Sequence, residues 1–281
     1  MWTICSIIVI NEDDKSLKKI INGIYKNIVD FENEFSRFRI DSQLSKLNRD
    51  KKMPVSDIFL LMLDRSREMF SLTDWYFNPL IDLRKIWYSD SFEIWRFEKI
   101  NLVEDLNFND IKNYWNLLEI WQDMNLDFWA IAKWFLADIL SGALKSAWYN
   151  DHMINLWGDI CLSWYNLFWG KWQVGISSPF DKNEIFTTLE LSSKSISTSW
   201  TFIRKWKINN EDYHHIRNPL SDKSENELIS VSVINRYWYK SDSLATALIA
   251  MWKSKALEFC EDNDIDYLFI MKNREILSNL R

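Results

Sequence analysis

Residues 1–10 form a short apolar run that predicts a strand, and Ser16 to Phe35 repeats its apolar positions at the spacing of an amphipathic helix. Ser36 to Asn48 is polar and irregular. A second helix is predicted from Ser56 to Leu72, stopping near a Thr73-Asp74-Trp75 turn. Residues 76–100 read as aromatic loops around Pro79, and the charged segment 101–125 as short strands with a helix. Helical spacing returns from Ala130 to Lys145. Strand-like runs follow at Met153–Leu156, Trp172–Ser177, Phe186–Leu191, Ser195–Thr198 and Ser230–Ile234. A helix over Ser241–Lys253 and a strand over Tyr267–Met271 close the pattern. Helices and strands do not alternate strictly, so the expected class is α+β. With no repeat, low-complexity tract or linker, residues 1–281 are expected to form one domain.

Charge and apolar content narrow the function classes. A net charge of −6 gives no basic field to attract nucleic acid. No apolar run approaches the roughly 20 residues of a membrane span. The apolar start has neither a basic leader nor a cleavage site, so no signal peptide is read. The three cysteines, Cys5, Cys161 and Cys260, match no metal spacing. A reduced, cytoplasmic setting is the expectation.

Two counts are abnormal. Glycine occurs 5 times and tryptophan 17 times, whereas a chain of this length carries about 20 glycines. Several tryptophans stand where a turn wants glycine: Asp74-Trp75 after a helix, Leu156-Trp157-Gly158-Asp159 after a strand, and Ser199-Trp200-Thr201 in a small polar loop. The expectation is that the gene uses UGA for glycine and that tryptophan is the letter written for it. The alternative is a tryptophan-rich binder of carbohydrate or membrane surfaces.

Read with glycine at those positions, segments spread over nearly the whole chain resemble the ApbE family of FAD:protein FMN transferases. Met1-Trp2-Thr3 resembles the family's opening Met-Gly-Thr. Phe35-Ser36-Arg37-Phe38-Arg39-Ile40-Asp41-Ser42-Gln43-Leu44-Ser45-Lys46-Leu47-Asn48 is similar to its S-x-[FY]-x-x-x-S-x-[LI]-S-x-[LI]-N segment. Trp75-Tyr76-Phe77-Asn78-Pro79 resembles Gly-Ala-Phe-Asp-Pro, and Leu126 to Trp134 resembles L-D-[FL]-G-[GA]-I-A-K-G. Asn155 to Asp159 matches an Asn-x-Gly-Gly-Asp turn. Ser197 to Trp200, Tyr213 to Pro219 and Ser241 to Leu248 follow in the family's order. The resemblance implies an ApbE-like, T-fold-like arrangement of mixed helices and antiparallel-rich sheets. It also implies Mg²⁺-dependent transfer of FMN from FAD to a threonine of an acceptor flavoprotein carrying a Ser/Thr-containing motif. A metal-dependent FAD pyrophosphatase and a flavin binder without turnover remain open.

The residues also have readings of their own. Asp242 and Thr246 are i and i+4 on a predicted helix, so both oxygens share its first turn. A carboxylate and a hydroxyl suit a hard cation, or equally a helix cap and a back-bonded threonine. The resemblance implies that Asp242 and Thr246 bind Mg²⁺ with the Ala130 carbonyl. Residues 127–134 turn a strand end into a helix start, which favours phosphate; the resemblance implies that Asp127 and Lys133 belong to the FAD site. Phe38, Tyr76 and Phe77 are candidate flavin walls, or core aromatics. Met1 and Asn78 are placed beside FAD by the resemblance, though aspartate is more usual at Asn78 and a small residue at Tyr76. His215 and Ile216 are placed by it near the adenosine or phosphates, and no base is evident beyond His215 or a site carboxylate. No phosphate-loop or dinucleotide-fold glycine motif is present, even with tryptophan read as glycine.

Overall fold

The computed structural model describes residues 4–10, 14–80, 107–181, 183–201, 205–208, 211–214, 216, 218–219 and 225–280, with backbone alone for 14–16, 205–208 and 211–213. Strand β1 (Cys5–Val9) is followed by helices α1 (Asp14–Phe35) and α2 (Gln43–Asp50), strand β2 (Lys52–Pro54) and helix α3 (Asp57–Leu72). After the 3-10 turn Phe108–Asp110 come β3 (Lys112–Tyr114), β4 (Leu117–Glu119) and α4 (Trp129–Ser146). Strands β5 (His152–Leu156), β6 (Asp159–Ser163), β7 (Trp172–Ser177), β8 (Ile185–Leu191), β9 (Ser195–Trp200), β10 (Lys205–Ile208), β11 (Glu211–His214) and β12 (Leu228–Asn235) follow. Helices α5 (Trp238–Ala250) and α6 (Lys253–Asp262) and strands β13 (Asp266–Met271) and β14 (Ile276–Ser278) complete the chain. This is the mixed, antiparallel-rich α+β class that the hydropathy pattern and the resemblance both led us to expect.

Seven strands form one antiparallel sheet in the order β1-β5-β6-β9-β12-β13-β14. Its centre is covered on both faces, so β12 is buried along nearly its whole length, its serines Ser230 and Ser232 included. Val231 and Val233 point into the main core with α4 and α5. Ile234 joins Trp172, Val174 and Ile176 of the β7–β8 hairpin in a second core. Among the described residues, no helix is long and apolar enough to cross a membrane.

Local chemistry sets the helix ends. Ser56 caps α3 by accepting from Phe59 N–H at 3.2 Å. Ser42 caps α2 through Ser45 N–H at 3.0 Å, so part of the stretch expected to be irregular is helical. The helix expected from Ser241 begins at Trp238, without a side-chain cap, and breaks at Met251-Trp252 before α6. Asp242 and Thr246 therefore lie in the second and third turns of α5 rather than the first. Residues 81–106, Met1 and His215 lie outside the described residues.

Backbone conformation separates the described tryptophans into two groups. Trp75, Trp115, Trp148, Trp157, Trp164 and Trp169 have φ between 47° and 73°, the left-handed region.

Candidate active site

The start of α4 is built by Asp127. One oxygen of its carboxylate accepts from Trp129 N–H at 2.9 Å, and the other pairs with Arg37 Nη1 at 2.6 Å. Both side chains are almost fully buried. The Arg37 guanidinium lies 4.8 Å from the Phe38 ring centroid and 5.1 Å from that of Trp129. Asp127 N–H bonds Pro79 O at 2.8 Å, which ties the Asn78-Pro79 loop to the same helix start. Asn78 itself closes that loop by accepting from Leu80 N–H. Three separated motifs thus meet at one helix terminus.

One turn further along α4, Lys133 reaches across to two acids. Its ammonium bonds the Asp159 carboxylate and lies 3.5 Å from Asp242 Oδ2. Asp159 is supplied by the first residue of β6, just after the Trp157-Gly158 turn, where Gly158 N–H bonds Asn155 Oδ1. Burial alone would push Lys133 down, but the two carboxylates more than reverse this and hold it above its usual range. Burial raises Asp242 to about 8 despite Lys133, with the nearby Asp159 charge adding to the rise. Asp159 is also raised, again chiefly by burial.

Next to this trio, Ser243 Oγ donates to Ala130 O at 3.4 Å, which joins α5 to the first turn of α4. Thr246 Oγ1 lies 3.3 Å from Ser199 Oγ on β9. Ala130, Lys133, Asp242 and Thr246 are therefore gathered where α4, α5 and β9 meet. The residues fit a hard cation on one observation in particular. Asp242 Oδ2 is buried and makes no hydrogen bond, and one ammonium cannot neutralise two carboxylates. A carboxylate, a hydroxyl and a carbonyl form an all-oxygen donor set of the kind Mg²⁺ takes. Among the described residues there is no cluster of three or more His, Cys, Asp or Glu side chains, so a site rich in histidine or cysteine is not built here.

The remaining candidates are placed differently. Tyr76 and Phe77 are 3% and 2% exposed within the main core, so these aromatics pack where the core reading had them. Phe38 is half-buried beside Arg37. Ile216 is buried, its N–H bonding His214 Nδ1 at 3.2 Å. Asp159 was legible only as the last letter of a turn motif; its pairing with Lys133 had no sequence signal. A cleft of about 690 Å³ lies toward the other end of α4, lined by Arg65, Asp138, Lys145 and Trp238. It includes none of the residues gathered around Asp242.

The fold is shared with solved structures of low identity. Flavin transferase ApbE from Vibrio cholerae superposes with a TM-score of 0.81 at 22% identity, over 99% of this chain and 94% of that one. The ApbE protein from Thermotoga maritima gives 0.85 at 18%, over 99% and 96%. Among curated proteins, a FAD:protein FMN transferase of Vibrio cholerae is 24% identical over 92% of this chain and 80% of its own length. One from Klebsiella pneumoniae is 32% identical over 55% of this chain and 48% of its own, about half that relative's length. The ApbE family model matches residues 1–269, a span that takes in α4, α5, β6 and β9 and so every element that shapes this site. The chain belongs to the ApbE family.

Proposed function

We propose that this chain transfers FMN from FAD to a threonine hydroxyl of an acceptor flavoprotein and releases AMP. The observation that carries the reading is the buried Oδ2 of Asp242, which has no hydrogen bond and only the 3.5 Å ion pair with Lys133. The names of the curated relatives support the substrate class. Asp242, Thr246 and the Ala130 carbonyl would hold Mg²⁺, which would supply charge neutralisation to a bound pyrophosphate.

The chain's own residues do the positioning. Lys133, fixed by Asp159, keeps a positive charge at the first turns of α4, and the helix dipole adds to it. Arg37 and Asp127 fix the direction of that helix start. The acceptor oxygen forms a bond to the phosphorus nearer riboflavin as the bond from that phosphorus to the AMP oxygen breaks. The hydroxyl proton leaves, and AMP departs with the extra negative charge. His215 is the candidate for receiving that proton.

The test is to incubate the protein with FAD, Mg²⁺ and an acceptor carrying a Ser/Thr motif. The expected result is an acceptor heavier by FMN and an equal amount of AMP. Free FMN with AMP and no adduct makes the chain a pyrophosphatase, and FAD retention without AMP makes it a binder; either overturns the proposal.

A further inference from the structure

Trp148 follows the C-cap residue of α4. Its N–H bonds Lys145 O at 2.9 Å, and Tyr149 N–H bonds Leu144 O at 3.0 Å. This double closure ends a helix with one left-handed residue, a place glycine usually fills because it has no Cβ to meet the following carbonyl. Trp148 has φ 69° and is 87% exposed. Helix α3 closes with the same pair of bonds, Asp74 N–H on Ser71 O at 3.4 Å and Trp75 N–H on Phe70 O at 2.9 Å; here two residues in a row are left-handed, Asp74 at φ 47° and Trp75, one place further on, at φ 73°.

The tight hairpins repeat the pattern. Trp157 and Gly158 are the two loop residues between the paired Leu156 and Asp159, with φ 57° and 96°. Both central residues of such a turn need positive φ, which favours Asn-Gly or Gly-Gly. Trp115 is the first of two loop residues between Tyr114 and Leu117, with φ 66° and 94% exposure. Glycine is the standard residue there too. Trp164 and Trp169 bend the β6–β7 connection at φ 47° and 58°.

Chance does not explain this set. Six tryptophans carry left-handed φ, against five of all other non-glycine residues described, and a bulky side chain there is an outlier. The indoles of Trp115, Trp148 and Trp169 are almost wholly exposed and gain little by burial. Trp134 shows the same mismatch in the core: its indole N–H is buried without a hydrogen-bond partner, although a buried indole ordinarily finds one. Trp172 is the contrast. It lies within β7, and its buried Nε1 donates to Ser163 O at 3.3 Å.

We infer that the cells making this protein read UGA as glycine, so that glycine stands at Trp75, Trp115, Trp148, Trp157, Trp164 and Trp169, and at Trp134, while Trp172 is a true tryptophan. Peptide mass spectrometry of the protein purified from its native cells tests this. Glycine at the six left-handed positions with tryptophan at Trp172 is the expected result; tryptophan at the six overturns it. The gene gives a second reading: UGA codons at the six and UGG at Trp172 support the inference, and UGG throughout overturns it. In protein expressed as written, Trp148→Gly raises the thermal unfolding midpoint and Trp172→Gly lowers it. A lowered midpoint for Trp148→Gly counts against the inference.

Discussion

Lys133 Nζ stands 3.5 Å from Asp242 Oδ2 while it bonds Asp159, so one buried ammonium answers two buried carboxylates. Asp242 is the less satisfied of the pair, and its raised pKa of about 8 expresses a demand for further positive charge.

Asp242→Asn removes that demand together with the ligand. Stability should change by no more than about 1 kcal/mol, because the lost oxygen had no hydrogen bond and Lys133 keeps Asp159. AMP release from FAD and Mg²⁺ should fall by at least ~100-fold, since even outer partners of a metal ligand cost ~10–100-fold when lost. Denaturant unfolding beside an AMP assay checks the split; retained turnover refutes the ligand role.

Asp159 shares Lys133 with Asp242 and holds the ammonium closer to itself. In Asp159→Asn the ammonium has only Asp242 to pair with and competes with the cation for it. The half-saturating Mg²⁺ concentration should rise about tenfold, and stability should drop by about 2 kcal/mol, less than an abandoned buried charge costs because one partner remains. Mg²⁺ titration of turnover reads the first effect and urea unfolding the second. An unchanged Mg²⁺ requirement excludes the positioning role.

Asn48, the last residue of the polar motif near the start of the chain, pairs with the Leu126 backbone through both its amide groups, at 2.8 and 2.7 Å. Asn48→Ala leaves the buried N–H and C=O of Leu126 unpaired, costing about 2–4 kcal/mol for the two. Calorimetry should show the loss, and Asn48→Asp should recover only the part due to the accepted N–H.

Helix positions were legible because α1, α3 and α4 expose their periodicity over many turns. Capping serines marked the start of α3. What escaped has physical reasons. Helix α2 is eight residues long and buries only Leu44, Leu47 and Asn48, too short to show a period. Helix α5 opens on Trp238 and Tyr239 with no polar cap, so its start was placed three residues late. Strands β2, β3 and β4 have three residues each and carry no alternation. Of the site, Ala130, Lys133, Asp242 and Thr246 were named by motif, and Asp127 and Asn78 sit at the same helix start. The contact of Lys133 with Asp159 is tertiary and spans 26 residues, so no local pattern holds it.

His152 predicts a pH effect on stability away from the site. Its ring is fully buried, with Nδ1 at 2.8 Å from Tyr149 O and Nε2 at 2.8 Å from Ser141 Oγ. Burial, helped by Lys145 and opposed by the Tyr149 bond and Asp151, lowers its pKa to about 4. The folded ring is therefore neutral where the unfolded one takes a proton. This contribution is intact above about pH 6.5 and is lost as pH falls toward 4, by about 3 kcal/mol in all. Unfolding free energies of the wild type and His152→Gln at pH 7.5 and 4.5 should differ in slope by this amount, and parallel slopes refute it.

Helix α5 is enclosed on nearly every side: of its thirteen residues only Lys240 and Thr246 escape full burial. Its amide hydrogens should trade with deuterium only when the whole molecule opens. A rod so confined does not swing, and Asp242 and Thr246 are carried on it like the fixed jaws of a vice.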